Sequence, residues 1–351
     1  MTNTILKIST LCTLLFLTAC DKSTIEQPED YQPILTNLGT NVILKTYEDL
    51  FNQTEILVQT LSALESNPND VNLESARQAW RDARRPWEQS EGFLFGPVDQ
   101  QGLDPAIDSW PVNQPDLEAV LNSPNTLTKE YIDGLDGTLK GFHTIEYLIF
   151  GTNSSKLVSD FTTRQFEYLT ACAESLHGAT QSLYYSWNPS QQNFIRNILQ
   201  AGQSGNSIYP SQKSALEELL IGLITIADEV ANGKINDPLS QQNASLEESR
   251  FSANSKQDFA DNIRSIQNVY IGEYGTTQGP GLSVVIASKS STLDTKVNAE
   301  ILAAINAIES IPGTFTHAIF NETSSVIEAQ NKVRNLQLTL ESEVLPIISN
   351  L

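Results

Sequence analysis

The stretch "LEELLIGLITIADEV", Leu216 to Val230, places Leu216, Leu219, Leu223, Ile226 and Val230 at alternating spacings of three and four residues. That is the period of one face of an α-helix, and no period of two competes with it. The same seam recurs along the chain. Tyr47, Leu50, Thr54, Leu57, Leu61 and Leu64 form one copy, and Phe166, Leu169, Ala173, Leu176 and Leu183 form another. Leu293, Val297, Ile301, Ile305 and Ile308 give a further stripe, followed by Val326, Ala329, Val333, Leu336, Leu340 and Val344. Long amphipathic helices joined by short turns must bury their stripes against one another, so the expected fold is all-α, two helical bundles packed together.

Two segments break the pattern. Gly92 to Asp116, "GFLFGPVDQQGLDPAIDSWPVNQPD", is rich in proline and glycine, and a loop this long inside a compact domain usually serves function. Gly272 to Ser283, "GEYGTTQGPGLS", has glycines but neither a lysine nor a preceding strand, which argues against a phosphate-binding loop. Asn188-Pro189 and "AGQSGNS" mark a linker over 188–208, dividing an N-terminal bundle, 31–187, from a C-terminal bundle, 209–351.

The first twenty residues read as an export signal. Lys7 provides the positive start, an apolar run follows from Ile8 to Leu17, and Leu17-Thr18-Ala19-Cys20 has the form of a lipobox whose Cys20 takes lipid. The apolar run is too short to span a membrane. Residues 21–30 read as a tether. The expected location is the bacterial cell envelope, on the periplasmic face or the cell surface, with the membrane touched through the lipid anchor only. Once Cys12 and Cys20 are set aside, Cys172 stands alone among Leu169, Ala173 and Leu176, as a core residue.

Asp and Glu number 42 against 21 Lys and Arg, a formal charge of −21, which excludes nucleic acid as a natural partner because that requires basic patches. The acids are spread along the chain, which suits solubility and is compatible with cation capture.

One pair of polar residues interrupts an apolar helix. In "GFHTIEYLIFG", Gly141 to Gly151, His143 and Glu146 lie three apart on one helical face, beside the apolar arc of Phe142, Ile145 and Ile149. A buried imidazole and carboxylate must be hydrogen-bonded, paired or metal-bound, so the pair is either a satisfied structural contact or a ligand site. Glu174 and His177 make an E-x-x-H pair, but a di-iron bundle needs two such motifs with two further glutamates. His317, after Pro312 and Gly313, reads as structural.

Several stretches together carry a resemblance. "ARRPWEQSEGFLFGP" (Ala83 to Pro97), "LDPAIDSWP" (Leu103 to Pro111), "GFHTIEYLIFG", "IADEVANGKINDPL" (Ile226 to Leu239) and "ESRFSANSKQDFADNIRSIQNVYIG" (Glu248 to Gly272) resemble the imelysin family of iron-regulated bacterial lipoproteins. Its GxHxxE signature is matched by Gly141, His143 and Glu146. The resemblance implies an all-helical fold with this motif near a cleft, and it favours a ligand role for His143 and Glu146. Glu88, Glu91 and Asp108 are the carboxylates expected to complete a metal set, and one imidazole with several carboxylates suits iron or zinc. Gly141, Arg84, Asp104, Ser252 and Asn254 are the expected cleft residues, with Arg84 or Arg85 as the counter-charge. Trp80, Trp87 and Trp110 read as packing, and Ser252 and Asn254 also read as caps of a helix beginning near Asp258.

Three functions follow as expectations. The first is an envelope lipoprotein that binds iron, or an iron-bearing ligand, and serves an uptake-system protein. The second is a metallopeptidase of the imelysin type, which lacks support from any HExxH motif here. The third is a metal-free binding module for a peptide, glycan or protein.

Overall fold

In the computed structural model, residues 29–351 are described; the expected signal peptide, Cys20 and most of the tether lie outside them. Tyr31–Leu351 form one compact unit. The principal helices in chain order are α1 (Leu44–Ser66), α2 (Asp70–Glu88), α3 (Gly141–Phe150), α4 (Thr163–Trp187), α5 (Gln212–Glu229), α6 (Ser255–Ile271), α7 (Ser291–Glu309) and α8 (Thr323–Thr339).

Each seam read from the sequence is buried. Leu50, Leu57, Leu61 and Leu64 of α1 have no exposed surface, and neither do Leu216, Leu219 and Leu223 of α5. α1 packs against α2 and α4, with α3 laid against α4 and α2, while α5, α6, α7 and α8 pack among themselves. The helix starts follow local chemistry: Asn69, Thr162, Ser211 and Ser290 each accept a backbone N–H of the first turn through the side chain.

The two groups of helices share one continuous core, and α2 lies directly on α6. The segment 188–208, read as a linker, carries the short helix Ile195–Leu199, whose Ile195 and Ile198 are fully buried. The long loop is not irregular. It is built of brief helical turns at Glu91–Phe93, Pro97–Gln100, Asp104–Ile107 and Gln114–Leu121. One departure from an all-α reading is small: after Gly272 ends α6, Glu273–Tyr274 pairs antiparallel with Thr277–Gln278. Cys172 is buried, as expected of a core residue, and burial pushes its thiol pKa up.

Candidate functional site

Where α2 meets α6, six buried carboxylates gather: Glu88, Glu91, Asp108, Glu146, Glu248 and Asp258. Arg84, Lys234 and His143 are buried with them. Ionised carboxylates removed from water are costly unless paired, so the placement of the two permanent cations decides how this cluster survives.

Arg84 is the hub. One turn from the end of α2, it reaches Glu88 on its own helix and Asp108 at the end of the Asp104–Ile107 turn. Its Nη2 donates to Glu248 Oε1 at 2.8 Å, and its Nε lies 3.6 Å from Asp258. Lys234 is the second hub. It lies on a π-helical turn, Val230–Lys234, that extends α5 and closes with Ile235 N–H donating to Val230 O. Its Nζ stands 2.9 Å from Glu91 Oε2, 3.0 Å from Glu248 Oε1 and 3.6 Å from Glu88 Oε2.

His143 sits at the edge of this network. Its Nδ1 is 3.0 Å from Glu146 Oε2, and its Nε2 faces Asp108 Oδ1 at 3.0 Å without an aligned hydrogen bond. The other oxygen of Glu146 accepts from both Ser252 N–H and Ser252 Oγ, at 2.8 and 2.7 Å. Glu146 is therefore spent on orienting the imidazole, and its place is behind His143 rather than among the converging carboxylates. Asp108 accepts from Trp87 Nε1 at 2.6 Å, so this tryptophan combines packing with a hydrogen bond.

Gly141 allows the approach of Asp108 to His143. Its φ is +74°, and a Cβ there would fall 2.4 Å from the carbonyl oxygen of Ile107, the residue before Asp108. The N-terminus of α3 thus rests on the backbone that delivers the aspartate.

Hydrogen-bond accounting leaves a residue of unmet capacity. Among the described residues, nine buried side-chain N or O atoms have no aligned hydrogen bond, and seven belong to this cluster: Arg84 Nε, Glu88 Oε1 and His143 Nε2, which still face an opposite charge, and Glu248 Oε2, Ser249 Oγ, Asp258 Oδ2 and Asn262 Oδ1. Buried polar atoms normally have partners, so their concentration here marks where a bound species would contribute most. Asp108, His143 and Glu248 each bring one ligand atom within 4.8 Å of the others, and so do Glu88, Glu91 and Asp108.

The electrostatics follow. Burial raises Glu88 and Glu91 well above the ordinary glutamate value despite Arg84 and Lys234, and raises Asp258 to about 7. Asp108 goes the other way: burial opposes ionisation, but Arg84 and His143 hold its carboxyl below the ordinary range. His143 is raised to about 9, since its contacts with Asp108 and Glu146 outweigh burial and the Arg84 charge.

These shifts give a pH prediction for the metal-free protein. Asp258, raised from 3.8 to about 7, withdraws stability as pH climbs between those values, and Glu88 and Glu91 act in the same direction. His143 adds stability that is complete below 6.5 and lost as pH rises through about 9. Asp108 contributes above 3.8 and is lost only in stronger acid. Thermal unfolding followed by circular dichroism should show a midpoint falling by several degrees from about pH 5 to about pH 9. A midpoint that stays level or rises over that range would contradict this assignment of charges.

A cavity of about 230 Å³ leads to the cluster, walled by Glu91, Asp104, Asp108, Trp110 and Glu229. Asp104 stands at its exposed edge, raised to about 6 by desolvation and the Asp108 charge. The sequence-read set is thus brought together: His143, Glu146, Glu88, Glu91, Asp108, Arg84, Gly141 and Ser252 meet at one place, with Asn254 donating to Asp258 at 2.7 Å. Arg85 is exposed and plays no part. The capping expectation needs correction. α6 begins at Ser255, and neither Ser252 nor Asn254 caps it through a side chain, because Ser252 is turned to Glu146 and Asn254 to Asp258.

Lys234, Glu248, Asp258 and Asn262 complete the cluster without belonging to the GxHxxE motif or the proline-rich loop. A signal was available for the first: Lys234 continues the seam of Leu223, Ile226 and Val230, and a lysine in line with an apolar stripe must be paired. Asp258 and Asn262 lie four apart on α6, and Asn262 Nδ2 reaches Glu88 Oε2 at 2.5 Å. The remaining histidines lie elsewhere. His177 stacks on Phe51 and contacts Thr54, with Glu174 exposed, and His317 is exposed beside Asn321.

Comparison with known proteins places this arrangement. The sequence model of the Imelysin family, labelled as a peptidase family, matches residues 43–341. This chain belongs to the imelysin family. Iron-regulated protein A of Synechococcus elongatus is 31% identical to this imelysin-family chain over 311 residues, covering 88% of it and 84% of the relative. Among solved structures, one described as an iron-regulated protein A precursor from Parabacteroides distasonis superposes with a TM-score of 0.81 at 26% identity, covering 93% of this chain and 96% of that one. An imelysin-like protein from Psychrobacter arcticum shares the fold, with a TM-score of 0.74 at 14% identity over 90% of this chain and 94% of that one.

Proposed function

We propose that this imelysin-family protein binds a transition-metal ion, iron foremost, at the buried cluster, and does so as an envelope lipoprotein serving an iron-uptake system. The observation that carries the reading is the convergence of Asp108, His143 and Glu248, whose ligand atoms lie within 4.8 Å of one another, beside the buried Glu248 Oε2 that has no hydrogen-bond partner. One imidazole with carboxylate oxygens is a donor set suited to iron, manganese or zinc rather than to a purely oxygen-liking cation. Glu146 supports it from behind, since an imidazole whose Nδ1–H is held by a carboxylate presents Nε2 for coordination. Two relatives bear iron regulation in their names, which directs the choice toward iron. Zinc is the second candidate on donor chemistry alone. The lipobox at Leu17 to Cys20 supports the envelope placement.

The peptidase reading has less behind it. A zinc peptidase needs several ligands plus a free general base, and this cluster offers one histidine with its carboxylates engaged by Arg84 and Lys234.

The test is metal content and calorimetric titration of the protein with Fe(II), Fe(III) and Zn(II), beside an Asp108→Asn/His143→Gln variant checked for folding by circular dichroism. Near-stoichiometric binding that weakens on the order of 100-fold or more in the variant is expected, the upper end of what even outer partners of a site contribute. Equal, negligible binding in both would remove the metal reading and leave a metal-free recognition module.

A further inference from the structure

Away from the carboxylate cluster, a cavity of about 450 Å³ opens between the Pro97–Gln100 turn and the segment from Ser186 to Asn206. Its size falls within the range of about 300–1,000 Å³ common for small-molecule sites. Its chemistry is unusual for this chain. In a protein with 42 Asp and Glu, no carboxylate among the described residues lines this wall, and Arg196 is the one charged residue among them that does. The side chains around it are instead carboxamides: Gln100, Gln101, Gln192, Asn193, Asn197 and Gln200.

Several of these amides are anchored at one end only. Gln101 donates to Ser186 Oγ at 2.9 Å, leaving its carbonyl oxygen. Gln192 accepts from Ser186 Oγ at 3.2 Å, leaving its NH₂. Asn197 donates to Phe194 O at 3.0 Å, and Gln200 accepts from Arg196 Nε at 2.8 Å, so an acceptor and a donor remain there as well. Gln100 makes no side-chain hydrogen bond to the described residues. Side chains held at one end lose less freedom when the other end takes a ligand.

The wall itself is firmly built. Gly96 has φ +69°, and a Cβ on it would fall 2.5 Å from the Phe194 ring, so this ring is pressed against the turn that carries Gln100. Phe194 packs edge-on to Trp187, with ring centroids 4.9 Å apart. Asn206 ties the far side down, donating to Asn197 O and Gln200 O and accepting from the backbone of Ile208 and Tyr209.

We propose that this cavity is a binding site for a neutral saccharide. Each sugar hydroxyl both donates and accepts, which is what alternating amide oxygens and NH₂ groups answer. The wall is uncharged apart from Arg196, whose Nε is already given to Gln200, and the partly exposed Phe194 ring offers an apolar surface for the C–H face of a sugar. The proposal is independent of the metal reading, since no residue is shared between the two sites.

The experiment is saturation-transfer NMR and calorimetry on the full chain with a panel of neutral gluco-, galacto-, manno- and N-acetylglucosamine di- and trisaccharides. A Gln100→Ala/Gln192→Ala variant and an Arg196→Ala variant run alongside, with a peptide mixture and acidic saccharides as controls. At least one neutral saccharide should bind, and the double variant should weaken it by about tenfold or more while keeping the wild-type unfolding midpoint. If the double variant does not fold, Gln100→Ala alone carries the test, because the Gln100 side chain makes no hydrogen bond to the described residues. Absence of binding across the neutral panel, equal binding by the Gln100→Ala/Gln192→Ala variant, or binding only of peptides or of acidic saccharides would each overturn the proposal, and unchanged neutral-saccharide binding by Arg196→Ala would support it.

Discussion

Replacing Arg84 by methionine should destabilise the protein by about 3–5 kcal/mol, the range for breaking a buried ion pair from one side. Methionine keeps much of the volume but none of the charge. Asp108, Glu88, Glu248 and Asp258 would lose the guanidinium they share, and none of them can turn to water. Against a total folding stability of about 5–15 kcal/mol, that loss decides whether the protein folds well at all. Thermal unfolding should show a drop on the order of 10 °C. The deficit should shrink toward about pH 5, where Asp258, raised by burial to about 7, takes up its proton and no longer needs the cation. Arg85→Met on the exposed neighbour is the control and should change little. A loss under about 1 kcal/mol for Arg84→Met would mean that the carboxylates are already neutral and that Arg84 is not their counter-charge.

Gly141→Ala should come second in effect, at about 2–5 kcal/mol. Left-handed backbone disfavours alanine by about 1–2 kcal/mol, and the added methyl meets main chain rather than a side chain that could swing aside. Its nearest atoms would be Ile107 O at 2.4 Å, Ile107 C at 2.8 Å and Ala106 O at 3.0 Å. Relief requires the Asp104–Ile107 turn to withdraw from α3, and that carries Asp108 away from His143. Chemical denaturation measures the stability loss, and the metal titration described above should show weaker binding at temperatures where the variant is still folded. Gly134→Ala, where the nearest atom is 3.5 Å away, provides the matched control. A Gly141→Ala protein that kept both stability and metal affinity would show that the contact between the two backbones does not set the site.

Glu146 shows how the candidate site divided between what spacing could suggest and what it could not. Spacing three residues from His143 marked it as a partner on the same helical face, and the two do touch. That it orients the imidazole instead of joining the carboxylates depends on Ser252, 106 residues later, whose N–H and hydroxyl take its free oxygen. Nothing within one helical turn carries that information. Lys234 was legible in principle, as a charge on a buried seam, but its partners Glu91 and Glu248 come from other segments. Asp108 reaches His143 of α3 because the proline-rich loop is tied down as consecutive short turns instead of hanging free.

The sequence by itself determined the principal helices and their buried faces, because each is settled by residues within about a turn of one another, where the side-chain period acts. It also carried the family, through ordered stretches that span most of the chain. Only the tertiary structure decided which of the 42 acids leave water, and that two cations from different segments would hold Glu88, Glu91, Asp108, Glu248 and Asp258 beside one histidine. Desolvation and charge pairing depend on distances through space, and residues 84, 108, 143, 234, 248 and 258 become neighbours only when α2 packs on α6.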